Sequence, residues 1–282
     1  MLVKAYAKIN LGLRVLKKRS DGFHDIETIF HRINLFDELT IEPAESSISV
    51  SSNDKTLPVD ERNLCWKAVE LLRAELGTSH GASIHLRKAI PVGAGLGGGS
   101  SDAAAVLNTL PGLWSIPVDA STLTDIALAV GSDVPFFLHN KSAYAEGRGE
   151  RLNFVRLSLP YAVLVVTPHL RVSTAWAYGE LSKQRRIPAH RTPFYDGATC
   201  TVGTVSSLME NDFESVVFAA YPEIADIKRK LLEHGGVYAL LSGSGSSVFG
   251  LFHDEGSAHQ AADLFSPKYF VSVTPPHFIP GL

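Results

Sequence analysis

This sequence predicts an α+β fold in two domains, and three observations point to it. The first forty residues read as strands joined by a tight turn. The stretch Pro91 to Ser101 is dense in glycine and joins a strand to a helix. Past Arg156 the pattern resets into strands and helices mixed in an order that suits a mostly antiparallel sheet. The expected domains are residues 1–156 and 157–282, and a chain of 282 residues has room for both.

From Leu2 to Leu16 the residues alternate, and Ile9, Leu11, Leu13 and Val15 are expected to share one strand face. Lys17 to Gly22 is polar and ends in Asp-Gly, a hairpin signal. Strand pattern resumes at Ile26, Thr28 and Phe30, continues through Leu35, Leu39 and Ile41, and recurs from Ser47 to Ser52. Asn63 caps a helix carrying Leu64, Ala68, Leu71, Leu72 and Leu76, which Gly77 ends. Ala82, Ile84 and Leu86 alternate with polar residues, as a half-buried strand requires. After the glycine stretch and its helix, Pro111 and Pro117 mark a break. Ser121 is placed to cap the next helix, with Leu123, Ile126, Ala127 and Val130 inward and Gly131 at its end. Ala143 to Leu152 reads as a strand turning through Glu146 to Gly149.

In the second half, Tyr161 to Thr167 is continuously apolar and suits a buried strand. Ser173 opens a short helix through Leu181. Lys183 to Gly203, polar and proline-rich, reads as a long loop. Pro222 starts a helix with Ile224, Ile227, Leu231 and Leu232 inward. Strands at Val237 to Leu241, Val248 to Phe252 and Tyr269 to Val273 flank a helix from Ser257 to Phe265.

Composition excludes several classes. Hydrophobic residues make up 45% and charged residues 20%, which implies a sizeable core, and the net charge of -3 lacks the basic excess of a nucleic-acid surface. Cys65 and Cys200 form no metal-ligand pattern and read as reduced thiols, and the histidines show no zinc spacing. No apolar run reaches the ~18 residues of a membrane span. Lys4, Lys8 and Asn10 interrupt any signal-peptide core, so a cytoplasmic location is expected.

The chemistry centres on Pro91, Val92, Gly93, Ala94, Gly95, Leu96, Gly97, Gly98, Gly99, Ser100 and Ser101. A strand, a glycine loop and a helix start form an anion cradle, because backbone N–H groups converge there at the positive end of a helix dipole. The reading is a nucleoside triphosphate site. Ser100 stands where the common P-loop has lysine. Gly93 to Gly98 comes close to a dinucleotide fingerprint, but no βαβ opening precedes it and no acidic residue follows at the ribose position. Asp133, after Gly131-Ser132 and before Val134-Pro135-Phe136-Phe137, reads either as a turn or cap residue or as a partly desolvated general base. Lys8 reads either as a solvated strand lysine or as a cation serving a transferring phosphoryl group. Leu241 to Ser247 holds only small residues after Leu241, which implies close approach of something to its backbone.

These motifs resemble those of the GHMP kinases: Ala5 to Leu13 the first, Pro91 to Ala104 the second, Leu241 to Ser247 the third. The run Arg19-Ser20-Asp21-Gly22-Phe23-His24 and the run Gly131 to Phe137 narrow the resemblance to members acting on a cytidine diphosphate derivative of methylerythritol. The resemblance implies an N-terminal domain like domain 2 of ribosomal protein S5, a ferredoxin-like C-terminal domain, and transfer of phosphate from ATP carried with Mg²⁺. It makes Lys8 and Asp133 the catalytic pair and Pro91 to Ser101 the phosphate loop. Asn10, Phe23, His24 and Tyr178 become substrate-binding residues, with Trp176 a rival to Tyr178. Phe23 stands where many members have tyrosine, which keeps stacking and loses a phenolic hydrogen bond. No protein-held metal, no nucleic acid and no membrane are implied; the expected state is a monomer or weak homodimer. The competing readings are a homoserine-type kinase, a non-catalytic nucleotide-binding module and an NAD-dependent oxidoreductase.

Overall fold

Two long strands, β1 (Leu2–Lys18) and β2 (His24–Ala44), pair with each other and run through both compact units of the chain. The computed structural model describes residues 1–184 and 209–281. One unit comprises Met1–Ala7, Phe36–Val92 and Gly97–Asn140; the other comprises Lys8–Leu35, Gly93–Leu96 and Lys141–Leu282.

In the first unit the C-terminal half of β2 pairs antiparallel with β4 (Gly81–Arg87), and β3 (Ile48–Ser52) runs parallel to β4. Ala82, Ile84 and Leu86 are buried and Ser83, His85 and Arg87 exposed, as period-two patterning requires. Helix α1 (Leu64–Glu75) is capped as expected, with Asn63 Oδ1 accepting from the Cys65 amide at 2.9 Å. Its buried stripe is Cys65, Ala68, Val69 and Leu72, so Leu64, Leu71 and Leu76 lie at its margin.

Helix α2 (Gly98–Trp114) contradicts the expected break at Pro111, which lies inside its last turn. Only one ladder bond is lost there, and the Ile116 amide donates back to the Pro111 carbonyl at 3.0 Å to finish the helix. Helix α3 (Ala120–Val130) is capped by Asp119, not Ser121. Asp119 accepts from the Thr122 amide and from the Ser121 hydroxyl, and a carboxylate with two oxygens outcompetes a hydroxyl for that position. The short α4 (Val134–Phe137) follows.

In the second unit the N-terminal half of β2 pairs with β5 (Ser142–Gly147), and β5 with β6 (Arg151–Val155), all antiparallel. A separate antiparallel sheet has the order β10 (Phe270–Thr274), β7 (Ala162–Thr167), β9 (Val248–Phe252), β8 (Tyr238–Leu241). Every residue of β7 is buried, which explains its unbroken apolar run. Among the described residues, the helices of this unit are α5 (Thr174–Gln184), α6 (Glu214–Ala220), α7 (Pro222–Glu233) and α8 (Glu255–Phe265). Val166, Phe213, Val217, Ile227, Leu231 and Phe252 join Leu13, Val15 and Ile26 in one core. Leu232 is not part of it: α7 turns Ile224, Ile227 and Leu231 inward and leaves Leu232 43% exposed. Of the loop expected over Lys183 to Gly203, Lys183 and Gln184 belong to α5, and residues 185–203 lie outside the described residues.

One correction bears on the site. Asn10 bonds to Thr28, while Leu13 and Val15 pack with Ile26. Ile26 and Thr28 lie two apart on one face of β2, so β1 changes parity between Asn10 and Leu13. Gly12, at φ +83°, takes up the extra residue as a β-bulge does. Ile9 and Leu11 therefore do not share a face with Leu13 and Val15.

Candidate active site

In the second unit, Lys8 is 4% exposed, which removes the solvated-lysine reading. Its ammonium donates to Asn10 Oδ1 at 2.6 Å and to the Gly95 carbonyl at 3.0 Å, and stands 5.2 Å from the centre of the Phe30 ring. Asn10 is oriented in turn: its amide nitrogen donates to Thr28 Oγ1 at 2.9 Å, and Thr28 donates to the Gly12 carbonyl at 2.6 Å. The bulge thus places Lys8 and Asn10 on one face of β1, and the bond from Asn10 Nδ2 to Thr28 turns the amide so that its oxygen meets the ammonium.

The same Gly95 carbonyl accepts from Ser242 Oγ at 3.0 Å, and the Ser247 amide donates to the Ala94 carbonyl at 3.1 Å. A Cβ on Gly95, whose φ is +82°, would sit 2.0 Å from the Ser242 carbonyl oxygen. The close approach expected at Leu241 to Ser247 is therefore that of the glycine loop itself. Asn211, which drew no notice in the sequence, holds this second loop by donating to the carbonyls of Leu241 and Gly243, both at 2.8 Å.

His24 and Tyr178 come together, with stacked rings 4.9 Å apart at 17°. Tyr178 also meets Phe213 edge-on at 4.8 Å. Ser182 donates to the Tyr178 carbonyl at 2.8 Å and lies 3.1 Å from His24 Nε2. That network assigns the proton to Nε2 and leaves Nδ1 an acceptor. Burial, helped by the charge of Lys18, lowers the pKa of His24 and keeps the ring neutral. Phe23 is elsewhere engaged: half its surface is exposed and the Arg148 guanidinium covers its ring at 4.7 Å. Trp176 packs edge-on against Tyr221, away from His24's partner set.

In the first unit, α2 opens at Gly97 with no side-chain cap and no acidic residue in its first turn. Helix geometry leaves the first amides without intrahelical acceptors, a ready site for an anion. Ser101 is buried and donates to the Tyr6 carbonyl at 2.8 Å, whereas Ser100 is half-exposed. Beneath this turn Lys88 lies between Asp37 and Asp102. Asp133 sits in the turn that the Val134 amide closes on the Gly131 carbonyl at 3.1 Å. It makes no side-chain capping bond to α4, so of the two structural alternatives the turn is present and the cap is not; Val134, Phe136 and Phe137 after it are buried.

A sequence model of the GHMP kinases N terminal domain matches residues 63–141, and one of the GHMP kinases C terminal domain matches residues 201–270. The 4-diphosphocytidyl-2-C-methyl-D-erythritol kinase of Chlorobium chlorochromatii (strain CaD3) is 45% identical over 282 residues, spanning 99% of this chain and 98% of that protein. The chain belongs to the GHMP kinases, in the 4-diphosphocytidyl-2-C-methyl-D-erythritol kinase branch. A second member of that branch, from Chlorobium phaeobacteroides (strain BS1), is 46% identical over 98% of this chain and 97% of its own length. The crystal structure of a 4-(cytidine 5'-diphospho)-2C-methyl-D-erythritol kinase superposes with a TM-score of 0.80 at 34% identity, over all of both chains. Homoserine kinase from Cytophaga hutchinsonii ATCC 33406 shares the fold, with a TM-score of 0.67 at 19% identity over 98% of this chain and 95% of its own. The expected fold class, α+β with the two GHMP kinase domains, is the one found.

Proposed function

We propose that this chain transfers the γ-phosphate of ATP to the 2-hydroxyl of 4-diphosphocytidyl-2-C-methyl-D-erythritol. The observation that carries the reading is the buried Lys8 ammonium, held by Asn10 and bonded to the glycine loop, in a chain whose relatives at 41–46% identity bear that kinase's name. Asp133 takes the proton of the attacking hydroxyl. The new O–P bond forms as the bond from the γ-phosphorus to the β–γ bridging oxygen breaks, and ADP leaves. Lys8 supplies positive charge where it develops on the transferring group, already fixed by its two acceptors. The residues Pro91 to Ser101 wrap the phosphates, through backbone amides at the α2 start in preference to the Ser101 hydroxyl, which is committed to Tyr6. Mg²⁺ carried on the nucleotide would neutralise phosphate charge when bound, and the uncapped start of α2 would receive the phosphates.

Recognition of the acceptor falls to Phe23, His24 and Tyr178. The exposed face of Phe23 stacks on the cytosine, and His24 Nδ1 accepts from its amino group. Tyr178 acts by stacking on His24. Residues 1–156 then carry the nucleotide, catalysis and the two side chains that meet the cytosine, and residues 157–282 complete the acceptor site through Tyr178, in a cytoplasmic monomer or weak homodimer whose partners are small molecules.

A coupled assay of ATP consumption tests the reading. Turnover is expected with the cytidylyl acceptor and not with homoserine, galactose or mevalonate; turnover without the cytidylyl compound overturns it. Asp133→Asn is expected to lower kcat by about 10²–10⁴ while ATP still binds.

A further inference from the structure

A buried charge cluster underlies the stem of the glycine loop. Lys88, just before the loop, donates to Asp102 Oδ2 at 2.6 Å and to Asp37 Oδ2. Asp37 Oδ1 accepts from the amides of Ala89 at 2.6 Å and Ile90 at 2.9 Å, the two residues that lead into Pro91. Asp102 lies one turn into α2, just past the loop. The three side chains are 6%, 0% and 3% exposed for Lys88, Asp37 and Asp102. A Cβ built on Gly98, the first residue of α2, would stand 3.3 Å from the Lys88 ammonium nitrogen. One cluster therefore ties β2, the strand-side leg of the loop and the helix-side leg together.

We propose that Asp37, Lys88 and Asp102 are positioning residues that close the stem of the glycine loop and so set the affinity for the nucleotide. This rests on the reading of that loop as the ATP site. Two carboxylates and one ammonium leave a surplus negative charge on side chains that are almost fully buried, and burial of such a charge is costly. Asp102 Oδ1 has no hydrogen-bond partner among the described residues, which a carboxylate would not tolerate and a neutral acid tolerates better. A proton held between Asp37 and Asp102 resolves both facts: the cluster is then neutral, and Lys88 keeps both acceptors. Burial first, and then the neighbouring Asp37, raise the pKa of Asp102 against the opposing pull of Lys88. For Lys88, burial opposes its charge, yet the two carboxylates prevail and hold its pKa up. Among the described residues, Cys65 of α1 also faces the cluster, and burial keeps its thiol neutral.

On this account, loss of the shared proton puts a negative charge beneath the turn that receives phosphates. Affinity for ATP should fall on the alkaline side.

The test measures the Kd for ATP by calorimetry, and KM for ATP and for the cytidylyl acceptor, on the full-length protein at several pH values. Asp37→Asn, which turns an NH2 group either toward the Lys88 ammonium or toward the amides of Ala89 and Ile90, is expected to weaken ATP about tenfold and leave the acceptor KM within twofold. Asp102→Asn imitates the protonated residue: it should bind ATP as wild type does at mildly acid pH, without the weakening that wild type shows as pH rises. Equal losses for ATP and acceptor in Asp37→Asn, or the same alkaline profile in wild type and Asp102→Asn, would overturn the proposal. Comparison of wild type with Asp102→Asn needs no destabilised variant, so misfolding of Asp37→Asn does not blunt it. If wild type binds ATP but does not phosphorylate the acceptor, the proposed function fails while the calorimetric comparison still judges the cluster.

Discussion

The tip and the stem of the glycine loop are anchored by different physics. The tip, Gly93 to Leu96, is held through backbone: the carbonyls of Ala94, Gly95 and Leu96 accept from the Ser247 amide, from Ser242 and Lys8 side chains, and from the Lys8 amide. The stem is held through buried charge, by Lys88 between Asp37 and Asp102. Backbone hydrogen bonds are insensitive to pH and intolerant of added atoms. A charge cluster tolerates isosteric change and responds to protons. Steric substitutions in the loop should therefore separate from titration effects at the residues that flank it.

The largest break is expected at the tip. Gly95→Ala brings a Cβ to 2.0 Å from the Ser242 carbonyl at a positive φ, so one of the two loops must move. A loss on the order of 3–5 kcal/mol is expected in chemical denaturation, with activity falling alongside. Unchanged stability would mean that the two loops do not depend on each other. Next is Lys8→Met, which removes the cation from a site it fills: kcat should fall by about 10²–10³ with ATP affinity much less affected. A purely structural Lys8 would instead show a stability loss with kcat retained in the folded fraction.

At the stem the contrast is in pH. Asp102, with its pKa pushed up to about 7, binds more proton folded than unfolded between the usual carboxylate value and that point. The unfolded state thus binds fewer protons, and the Asp102 contribution to stability is full at low pH and lost as pH rises through about 7. The difference in denaturation midpoint between wild type and Asp102→Asn should shift across that window in favour of Asn at the alkaline end. A flat difference would place Asp102 as an ordinary ionised residue. The smallest effect belongs to Ser242→Ala, which deletes one neutral bond to Gly95 and should cost about 0.5–1.5 kcal/mol, independent of pH.

Outside this motif the acceptor side offers one further contrast. Phe23→Ala should raise the KM for the cytidylyl compound by the 1–3 kcal/mol typical of base stacking and leave that for ATP nearly unchanged. Equal changes would assign Phe23, through its contact with Arg148, to the turn between β5 and β6.

The sequence by itself determined what depends on neighbours along the chain. The alternation of Ala82, Ile84 and Leu86, the Asn63 cap, the apolar β7 and the glycine loop were legible because strand period, capping and positive φ are local properties. Local reading erred where two local signals competed, as at Asp119 beside Ser121, or where context absorbed a breaker, as at Pro111. Only the tertiary structure decided which distant groups meet. The burial of Lys8, its bond to a carbonyl of the glycine loop, the role of Asn211 and the pairing of Lys88 with Asp37 and Asp102 all join residues far apart in the chain. No periodicity encodes such meetings. Their energies arise from removing charge and polar groups from water, and that depends on every element that covers them.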